Sequence, residues 1–335
     1  GQYAKPRSSE TETINGIELP SYRGDMVNGF EFSASQRTPD PNRIIEGYYK
    51  SAATLNLVRA FTKGGYASLD QVSSWNEVGE KSYELSKNYK FLVKQIKKAV
   101  RFTSAIGLDP HVSQINEVSL FTSHEALLLD YEEVMTRVDT TTGDWYDTSG
   151  HFLWVGDRTR NPGGAHVEFL RGVGNPIGIK LGPSIDPKEI PLLCEKLNPD
   201  NIAGKITLIT RYGANRISEE LPKAIEVVKN EGLNVVWCCD PMHGNTTTIN
   251  NHKTRIFDNI LEEIKSFWQI HNEHGTYPGG VHIELTGDNV TECIGGLAGI
   301  TNANLSFNYT THCDPRLNSN QALQLAFEIA DILKV

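Results

Sequence analysis

From residue 117 onwards, short apolar runs alternate with longer amphipathic segments, and this alternation predicts a parallel α/β fold. The predicted strands lie at 117–121, 152–155, 178–181, 206–210, 235–239 and 281–285. The predicted helices lie between and after them, at 126–137, 188–197, 220–230, 254–274 and about 319–333. A repeat of strand and helix indicates a sheet whose neighbouring strands run in the same direction.

Two longer helices precede this repeat. The first is predicted at 42–63, ended by Gly64 and Gly65, and the second at 83–105, ending before Gly107. The apolar face of the first helix comprises Ile44, Ala52, Leu55, Leu57, Val58 and Phe61. Since no linker separates these segments, we predict one domain over 1–335 with a helical insertion at about 40–105. We expect both helices to pack on that domain rather than to form oligomer contacts.

The number of predicted strands bears on the architecture. Six strands, with a possible strand end at 1–4, fall short of the eight in a closed (β/α)8 barrel, or TIM barrel. The chain has no initiator Met and begins at Gly1-Gln2-Tyr3. We therefore expect the first strand region to be missing from this chain, either because it is part of a longer polypeptide or because it is a truncated homologue.

Composition and charge narrow the class of protein. The formal net charge of −9 argues against a nucleic-acid binder, although a local basic pocket could still hold a small anion. No apolar run is long enough for a membrane span, and no signal peptide is visible. The cysteines are few, odd in number and unpatterned, which favours a reducing cytoplasm over a disulfide framework; they are Cys194, Cys238, Cys239, Cys293 and Cys313.

Three polar clusters follow apolar runs, and each offers a histidine or a carboxylate. They are Cys-Asp-Pro-Met-His-Gly-Asn-Thr at 239–246, His-Ile-Glu-Leu-Thr-Gly at 282–287 and His-Cys-Asp-Pro-Arg at 312–316. Strand ends meet at one rim of an α/β barrel, so His243, Glu284 and Asp314 form a candidate metal set. One imidazole and two carboxylates suit Mn²⁺, Fe²⁺, Co²⁺ or Zn²⁺. The alternative is that His243 caps a helix and both acids make loop hydrogen bonds.

Basic residues also recur at predicted strand ends, where they would converge into an anion pocket. They are Lys5, Arg7, Arg158, Arg160, Lys180 and Arg211. The alternative is ordinary surface solvation, which Lys180 fits least because it ends an apolar strand. The glycine-rich turns match neither a P-loop nor the dinucleotide fingerprint, so ATP and NAD are not expected.

The tripeptide Ser123-His124-Glu125 has two interpretations. Ser123 could be the N-cap of the predicted helix at 126–137, although no capping box is present. Alternatively, His124 and Glu125 lie at a strand-to-helix junction on the catalytic rim.

Taken together, the motifs from Gly1 to the last helix resemble those of type II 3-deoxy-D-arabino-heptulosonate 7-phosphate (DAHP) synthases. The matching segments are Gly-Gln-Tyr-Ala-Lys-Pro-Arg-Ser at 1–8, Tyr-Arg-Gly-Asp-Met-Val-Asn-Gly at 22–29, Ser-His-Glu-Ala-Leu-Leu-Leu-Asp-Tyr-Glu at 123–132, Trp-Val-Gly-Asp-Arg-Thr-Arg at 154–160, Gly-Ala-His-Val-Glu-Phe at 164–169, Gly-Ile-Lys-Leu-Gly-Pro at 178–183, Cys-Asp-Pro-Met-His-Gly-Asn-Thr at 239–246, Gly-Asp-Asn-Val-Thr-Glu-Cys at 287–293 and Cys-Asp-Pro-Arg-Leu-Asn at 313–318.

The resemblance implies a (β/α)8 barrel that condenses phosphoenolpyruvate with erythrose 4-phosphate, the first step of the shikimate route to aromatic compounds. It implies a divalent metal held by Cys, His, Glu and Asp, of which His243, Glu284 and Asp314 match the last three. Mn²⁺ is the expected ion, with Co²⁺, Fe²⁺ or Zn²⁺ as alternatives. The family's Cys motif lies upstream of the segment at 1–8 and is not found in this chain, and neither Cys239 nor Cys313 replaces it.

The resemblance also implies roles for the basic residues. Arg158, Lys180 and Arg211 are expected to bind phosphoenolpyruvate. The phosphate of erythrose 4-phosphate is expected to be bound by Lys5, Pro6, Arg7 and Ser8. The expected catalytic residues are Lys180, Asp157 and Glu125, of which the two acids would position a water or move protons. Asp157 departs from the family, since many relatives carry Glu there, and the Asn-Pro-Gly turn at 161–163 is also unusual.

Two alternative functions stay open on the sequence alone. An amino-DAHP synthase of a secondary pathway shares these motifs, and a non-catalytic regulatory barrel would account for the absent Cys. Neither a nucleic acid nor a membrane is expected as a partner. We expect a cytoplasmic homo-oligomer, either a dimer or a tetramer.

Overall fold

The structure is a computed structural model that describes residues 3–7, 9–66, 68, 83–107 and 119–334. Within it the chain forms two compact units. The first comprises Gly1–Ala52, Phe121–Asn245 and Glu262–Ile283, and the second comprises Ala53–Leu120, Thr246–Leu261 and Glu284–Val335.

The regular elements in the described ranges are numbered here in chain order. The strands are β1 (Thr11–Ile14), β2 (Ile17–Pro20), β3 (Ser123–Glu125), β4 (Thr136–Val138), β5 (Trp145–Asp147), β6 (Phe152–Val155), β7 (Ile177–Leu181), β8 (Ile206–Thr210), β9 (Val235–Cys239), β10 (Thr246–Ile249), β11 (His252–Arg255) and β12 (Pro278–Val281). The α-helices are α1 (Ala34–Arg37), α2 (Asn42–Lys63), α3 (Tyr83–Ala105), α4 (Leu129–Met135), α5 (Ala165–Arg171), α6 (Glu189–Leu197), α7 (Ile217–Asn230), α8 (Phe257–Glu273) and α9 (Ser319–Ile332).

A six-stranded sheet is the centre of the first unit. Its order is β12-β9-β8-β7-β6-β3, so the six strands follow one another across the sheet in the order in which they occur in the sequence. Every pairing in it is parallel. The carboxyl ends of all six strands therefore lie along one edge, and no closed ring is formed by the residues that the structure describes.

Burial explains why these segments form this sheet. All five residues of β7 are buried, as a strand covered on both faces requires. Helix α7 follows β8 and buries five residues along one stripe, namely Ile217, Leu221, Ala224, Ile225 and Val228. That spacing is the helical period, so the helix covers the sheet with an apolar face and leaves its charged face to water.

The second unit contains an antiparallel hairpin and the last helix. β10 pairs with β11, with Asn250 and Asn251 at positive φ in the turn, where Asn tolerates the left-handed region. Asn318 caps α9 reciprocally with Gln321, which satisfies amide groups that the first turn leaves unpaired. Isolated parallel bridges join Ile256 to Ile294 and Leu285 to Leu317.

Most predicted elements are confirmed, and the differences are local. The strands at 152–155, 206–210 and 235–239 and the helices at 42–63 and 83–105 have the predicted bounds. β12 lies three residues before the strand predicted at 281–285, because Pro278 to Val281 pair with β9. The helix predicted at 254–274 begins only at Phe257, since residues up to Arg255 belong to β11.

Three predictions in the N-terminal half are wrong or lie outside the described residues. The strand predicted at 117–121 is replaced by β3, and residues 117 and 118 lie outside the described ranges. Ser123 is not an N-cap, because it pairs with Phe152 inside the sheet and Leu128 precedes α4. At 1–4, residues 3 and 4 form no strand and the first two residues lie outside the described part.

Helix α2 has no fully buried residue, although a Cβ on its Gly47 would lie 2.8 Å from the Met26 side chain. Among the described residues, no helix combines the length and apolar character that crossing a bilayer requires.

Candidate functional site

The carboxyl edge of the six-stranded sheet carries a cluster of charged side chains. Glu125 ends β3, Asp157 follows β6, Lys180 is the fourth residue of β7, Arg211 follows β8 and Asp240 follows β9. Because parallel strands bring their carboxyl ends to the same edge, residues more than a hundred positions apart in the sequence become neighbours.

Asp240 joins two of the candidate residues. Its carboxylate accepts a hydrogen bond from Lys180 Nζ and another from His243 Nδ1, the latter at 2.7 Å from Oδ2. The backbone amides of Met242 and His243 donate to its Oδ1, each at 3.1 Å. Burial would raise the pKa of Asp240, but Lys180 and His243 lower that pKa well below its usual range. Asp240 is therefore an ionised carboxylate that holds a lysine and a histidine together.

The partners of Lys180 and His243 set their orientation. Lys180 is buried, and its ammonium also lies 5.6 Å from the ring centroid of Trp154, close enough for a cation–π contact. A carboxylate can only accept, so His243 Nδ1 donates to Asp240, and the neutral imidazole then has its lone pair on Nε2. A histidine held in this way by a carboxylate is typical of metal ligands.

Asp157 organises a second group at the same edge. Its Oδ2 accepts from Arg211 Nη1 at 3.0 Å, and its Oδ1 accepts from Arg160 Nε at 3.3 Å and from the Gly182 amide at 3.2 Å. A Cβ on Gly182 would lie 2.7 Å from both carboxylate oxygens, so only glycine leaves room for Asp157 there. Arg158, between these partners in sequence, is exposed and makes no hydrogen bond or ion pair with the residues that the structure describes.

Glu125 is a half-buried acid that forms no ion pair with the residues that the structure describes. Its Oε1 is buried and has no hydrogen-bond partner among the described residues. Burial raises its pKa, and the charges of Lys180, Lys5 and His243 partly offset that rise. A Cβ on Gly156 would lie 2.1 Å from Glu125 Oε1, so this glycine admits the carboxyl against the backbone.

The N-terminal segment contributes further cations. Arg7 Nη2 lies 2.5 Å from Glu12 Oε1, and the buried Arg37 donates from Nη1 to Glu12 Oε2 at 2.7 Å. The Lys5 amide donates to Arg23 O at 2.8 Å, and Pro6 is half-buried. The predicted binding residue Ser8 lies outside the described residues.

In the second unit, each of the two candidate acids has a basic partner. Arg255 is fully buried and donates from Nη1 to Glu284 Oε2 and to Pro315 O, and from Nε to Thr246 Oγ1 at 3.0 Å. Lys253 Nζ lies 3.8 Å from Asp314 Oδ1.

His243, Glu284 and Asp314 are a possible metal-binding triad. Each offers one ligand atom, and these atoms lie within 4.8 Å of one another. The donor set of one imidazole and two carboxylates fits a divalent ion of the first transition row.

Comparison with known proteins identifies the family. The profile of the class-II DAHP synthetase family matches residues 1–330. The chain belongs to this family. It is 51% identical over 335 residues to a phospho-2-dehydro-3-deoxyheptonate aldolase of Streptomyces coelicolor, covering 100% of this chain and 74% of the relative.

Two further relatives of the class-II DAHP synthetase family carry similar names. A phospho-2-dehydro-3-deoxyheptonate aldolase of Neurospora crassa is 47% identical over 348 residues, covering 99% of this chain and 72% of the relative. The phospho-2-dehydro-3-deoxyheptonate aldolase AroG of Mycolicibacterium smegmatis is 45% identical over 340 residues, covering 100% of this chain and 72% of the relative. The family assignment made from the motifs is therefore confirmed.

The sequence analysis did not identify three charged residues that contact candidate site residues. They are Asp240, Glu12 and Arg255, each of which holds a candidate residue in place. Asp240 could have been found, since it stands three residues before His243 in the motif at 239–246. Glu12 and Arg255 carry no motif, and only the fold places them beside Arg7 and Glu284.

Proposed function

We propose that this protein is a DAHP synthase, which condenses phosphoenolpyruvate with erythrose 4-phosphate and releases inorganic phosphate. The observation that carries the proposal is the contact of Lys180 and His243 with one buried carboxylate, Asp240. Asp240 thus holds a candidate phosphoenolpyruvate-binding lysine close to a candidate metal ligand. A reaction between two bound substrates requires such closeness of their binding groups. The relatives' names support the same activity in the first step of the shikimate pathway.

We infer that the sheet belongs to a closed (β/α)8 barrel. The six strands follow one another across the sheet in the order in which they occur in the sequence, as in such a barrel. The charged residues lie at the carboxyl ends of the strands, where barrel enzymes carry their active sites. We also infer a cytoplasmic homo-oligomer, a dimer or a tetramer. The exposed apolar residues of α2, Ile45, Tyr49 and Leu57 among them, support subunit contacts through that helix.

Phosphoenolpyruvate would be bound by Lys180, Arg211 and Arg158. Its phosphate and carboxylate need several donors, and arginine provides a planar fork that suits both groups. Arg211 is held by Asp157, so its guanidinium is oriented before the substrate arrives. Arg158 is exposed and unpaired among the described residues, so it offers its full charge to the ligand.

Erythrose 4-phosphate would place its phosphate on the segment that contains Lys5, Pro6, Arg7 and Ser8. Support for this comes from Arg7, whose guanidinium is anchored on Glu12 on one side. Lys5 is close enough to Glu125 to lower that carboxyl's pKa, so the segment lies near the strand-end cluster. This arrangement would bring the aldehyde end of the sugar towards the phosphoenolpyruvate residues.

His243, Glu284 and Asp314 would hold the metal ion, for which Mn²⁺ is our first expectation. When bound, a divalent ion supplies Lewis-acid polarisation of a carbonyl oxygen. The chain prepares its ligands: Asp240 fixes the ring of His243, and Arg255 fixes the carboxylate of Glu284.

The bond changes define the tasks left to the residues. Carbon 3 of phosphoenolpyruvate bonds to the aldehyde carbon, whose oxygen takes up a proton. Water adds to carbon 2 and gives up a proton. The bond between carbon 2 and the phosphate oxygen then breaks, which releases phosphate and leaves a ketone at carbon 2. Glu125 is the better candidate for moving the proton of that water, because its Oε1 is buried without a hydrogen-bond partner among the described residues and its pKa is raised. Asp157 accepts from Arg211, Arg160 and the Gly182 amide, so its main task would be to hold Arg211.

The direct test is an assay of the purified protein with Mn²⁺ and both substrates, in which DAHP and inorganic phosphate are measured. We expect the two products to form in equal amounts. For Arg211→Ala we expect a rise in the KM for phosphoenolpyruvate of about a hundredfold, since a charged hydrogen bond and its geometry are lost. Arg171→Ala is the matched control, because Arg171 is an exposed arginine on α5 paired with Glu168. An unchanged KM in Arg211→Ala would place the phosphate elsewhere.

Three outcomes would redirect the proposal. His243→Ala should lose bound metal and turnover, and a variant that keeps both would remove His243 from the metal site. If an imino analogue of the sugar phosphate reacts faster than erythrose 4-phosphate, the protein is an amino-DAHP synthase. No turnover with either substrate would indicate a non-catalytic barrel.

A further inference from the structure

Glu263 is a fully buried acidic residue that no step above uses. It lies on α8, where Ile260, Ile264 and Phe267 are also fully buried. Glutamate is almost never fully buried unless its carboxylate is paired. Its position within an apolar helix face therefore needs an explanation from its hydrogen bonds.

Those hydrogen bonds reach two loops at the carboxyl edge of the sheet. Glu263 Oε1 accepts from the amides of Tyr212 at 3.1 Å and Gly213 at 2.9 Å, in the loop after β8. Its Oε2 accepts from Asn245 Nδ2 at 2.7 Å, in the loop after β9. Asn245 Oδ1 in turn accepts from the Ala214 amide at 3.0 Å, which closes the network between the loops.

The two loops also touch through their backbones. Gly213 has φ of +87°, and a Cβ there would lie 2.9 Å from Gly244 O. A Cβ on Gly244 would lie 2.4 Å from the nitrogen of Gly213. Neither position has room for a side chain, so the spacing of the loops is fixed at this junction.

The junction lies next to both halves of the proposed site. Arg211 stands two residues before Gly213, and His243 immediately precedes Gly244. Building on the proposed function, we propose that Glu263 is a positioning residue that sets the distance between the phosphoenolpyruvate-binding Arg211 and the metal ligand His243. In this role Glu263 binds neither the substrate nor the metal. It acts through its hydrogen bonds with the backbone amides of Tyr212 and Gly213 and with the side chain of Asn245.

Glu263→Gln tests this assignment with little change of volume. The new side chain has one oxygen and one amide nitrogen, so it cannot accept both from the Tyr212 and Gly213 amides and from Asn245 Nδ2. One loop must lose its hydrogen bond. Glu262→Gln is the matched control, because Glu262 is the exposed neighbour on the same helix and undergoes the same substitution.

The measurements are the dissociation constants of Mn²⁺ and of phosphoenolpyruvate by calorimetry, and the KM for each substrate. We expect Glu263→Gln to weaken Mn²⁺ and phosphoenolpyruvate about tenfold each, as outer-shell changes around metal sites do, with the KM for erythrose 4-phosphate unchanged. A lower kcat with both dissociation constants unchanged would show a merely structural role and would overturn the proposal.

Two arms keep the result decisive. If Glu263→Gln does not fold, Asn245→Ala removes the hydrogen bonds of Asn245 to Glu263 and to the Ala214 amide, together with its bond to Pro241 O in its own loop. It should show the same split between the two substrates; equal loss for both would overturn the assignment. If the unchanged protein binds Mn²⁺ and phosphoenolpyruvate but makes no DAHP, the proposed function fails. The comparison of dissociation constants between the variants still decides the role of Glu263.

Discussion

Asp240→Asn is the substitution that tests the proposed site most severely. The change keeps the size of the side chain but removes the charge that Lys180 and His243 share. An asparagine offers one oxygen, whereas these two donors and the Met242 and His243 amides all donate to the present carboxylate. At least one donor would therefore face the new amide nitrogen, which is itself a donor.

The structure allows two magnitudes to be worked out. The Lys180 side chain is only 7% exposed, so its ammonium would be left buried without its partner. Removing one member of a buried ion pair costs about 3–5 kcal/mol of folding free energy. Losing the carboxylate behind a metal-binding histidine weakens metal affinity about 10- to 100-fold.

Urea unfolding and Mn²⁺ calorimetry measure the two quantities separately. Asp200→Asn, at an exposed position, is the control for the loss of one negative charge. We expect the Asp240 variant to be less stable by several kcal/mol at pH 7 and to bind Mn²⁺ at least about tenfold more weakly. A variant that matches the control in both measurements would refute the reasoning, because Asp240 would then hold neither side chain.

Three further substitutions address other parts of the chain. Glu12→Gln should raise the KM for erythrose 4-phosphate and leave that for phosphoenolpyruvate unchanged, because Arg7 loses its anchor. Arg255→Lys should weaken Mn²⁺ about tenfold in calorimetry, since a lysine cannot reproduce the fork that holds Glu284. Burial and then Glu132 raise the pKa of Asp147 from 3.8 to about 7, so folding favours the protonated acid. Asp147 should therefore contribute about 2 kcal/mol to a fall in the free energy of unfolding from pH 5 to pH 7 in urea titrations, and the fall measured for Asp147→Asn should be smaller by that amount.

The sheet could be predicted because its strands are buried apolar runs with polar ends. β6, β8 and β9 have the predicted bounds for this reason. β3 and β12 were misplaced because their neighbours in sequence are also extended. The backbone of His282 still donates to Cys239 O at 2.7 Å beyond the end of β12, so the local pattern gives no sharp end.

The candidate site could be predicted only in part, for a different reason. Lys180 was visible because a charge at the end of an apolar strand is unusual. Its partner Asp240 lies 60 residues away, and no spacing in the sequence connects them. Glu263 could not be identified either, because an acid in an amphipathic helix is expected to face water.

The cations of the proposed anion site are held by buried or half-buried carboxylates, although the chain as a whole is acidic. Lys180 is paired with Asp240, Arg211 with Asp157 and Arg7 with Glu12, counting partners within the described ranges. The carboxylates orient these cations and partly neutralise them, so the cations would recognise a phosphate by geometry more than by net charge. The attraction of a multiply charged substrate then falls mainly to a cation without such a partner. Arg158 is exposed and unpaired among the described residues, which makes it the group that adds net positive charge beside the oriented pairs.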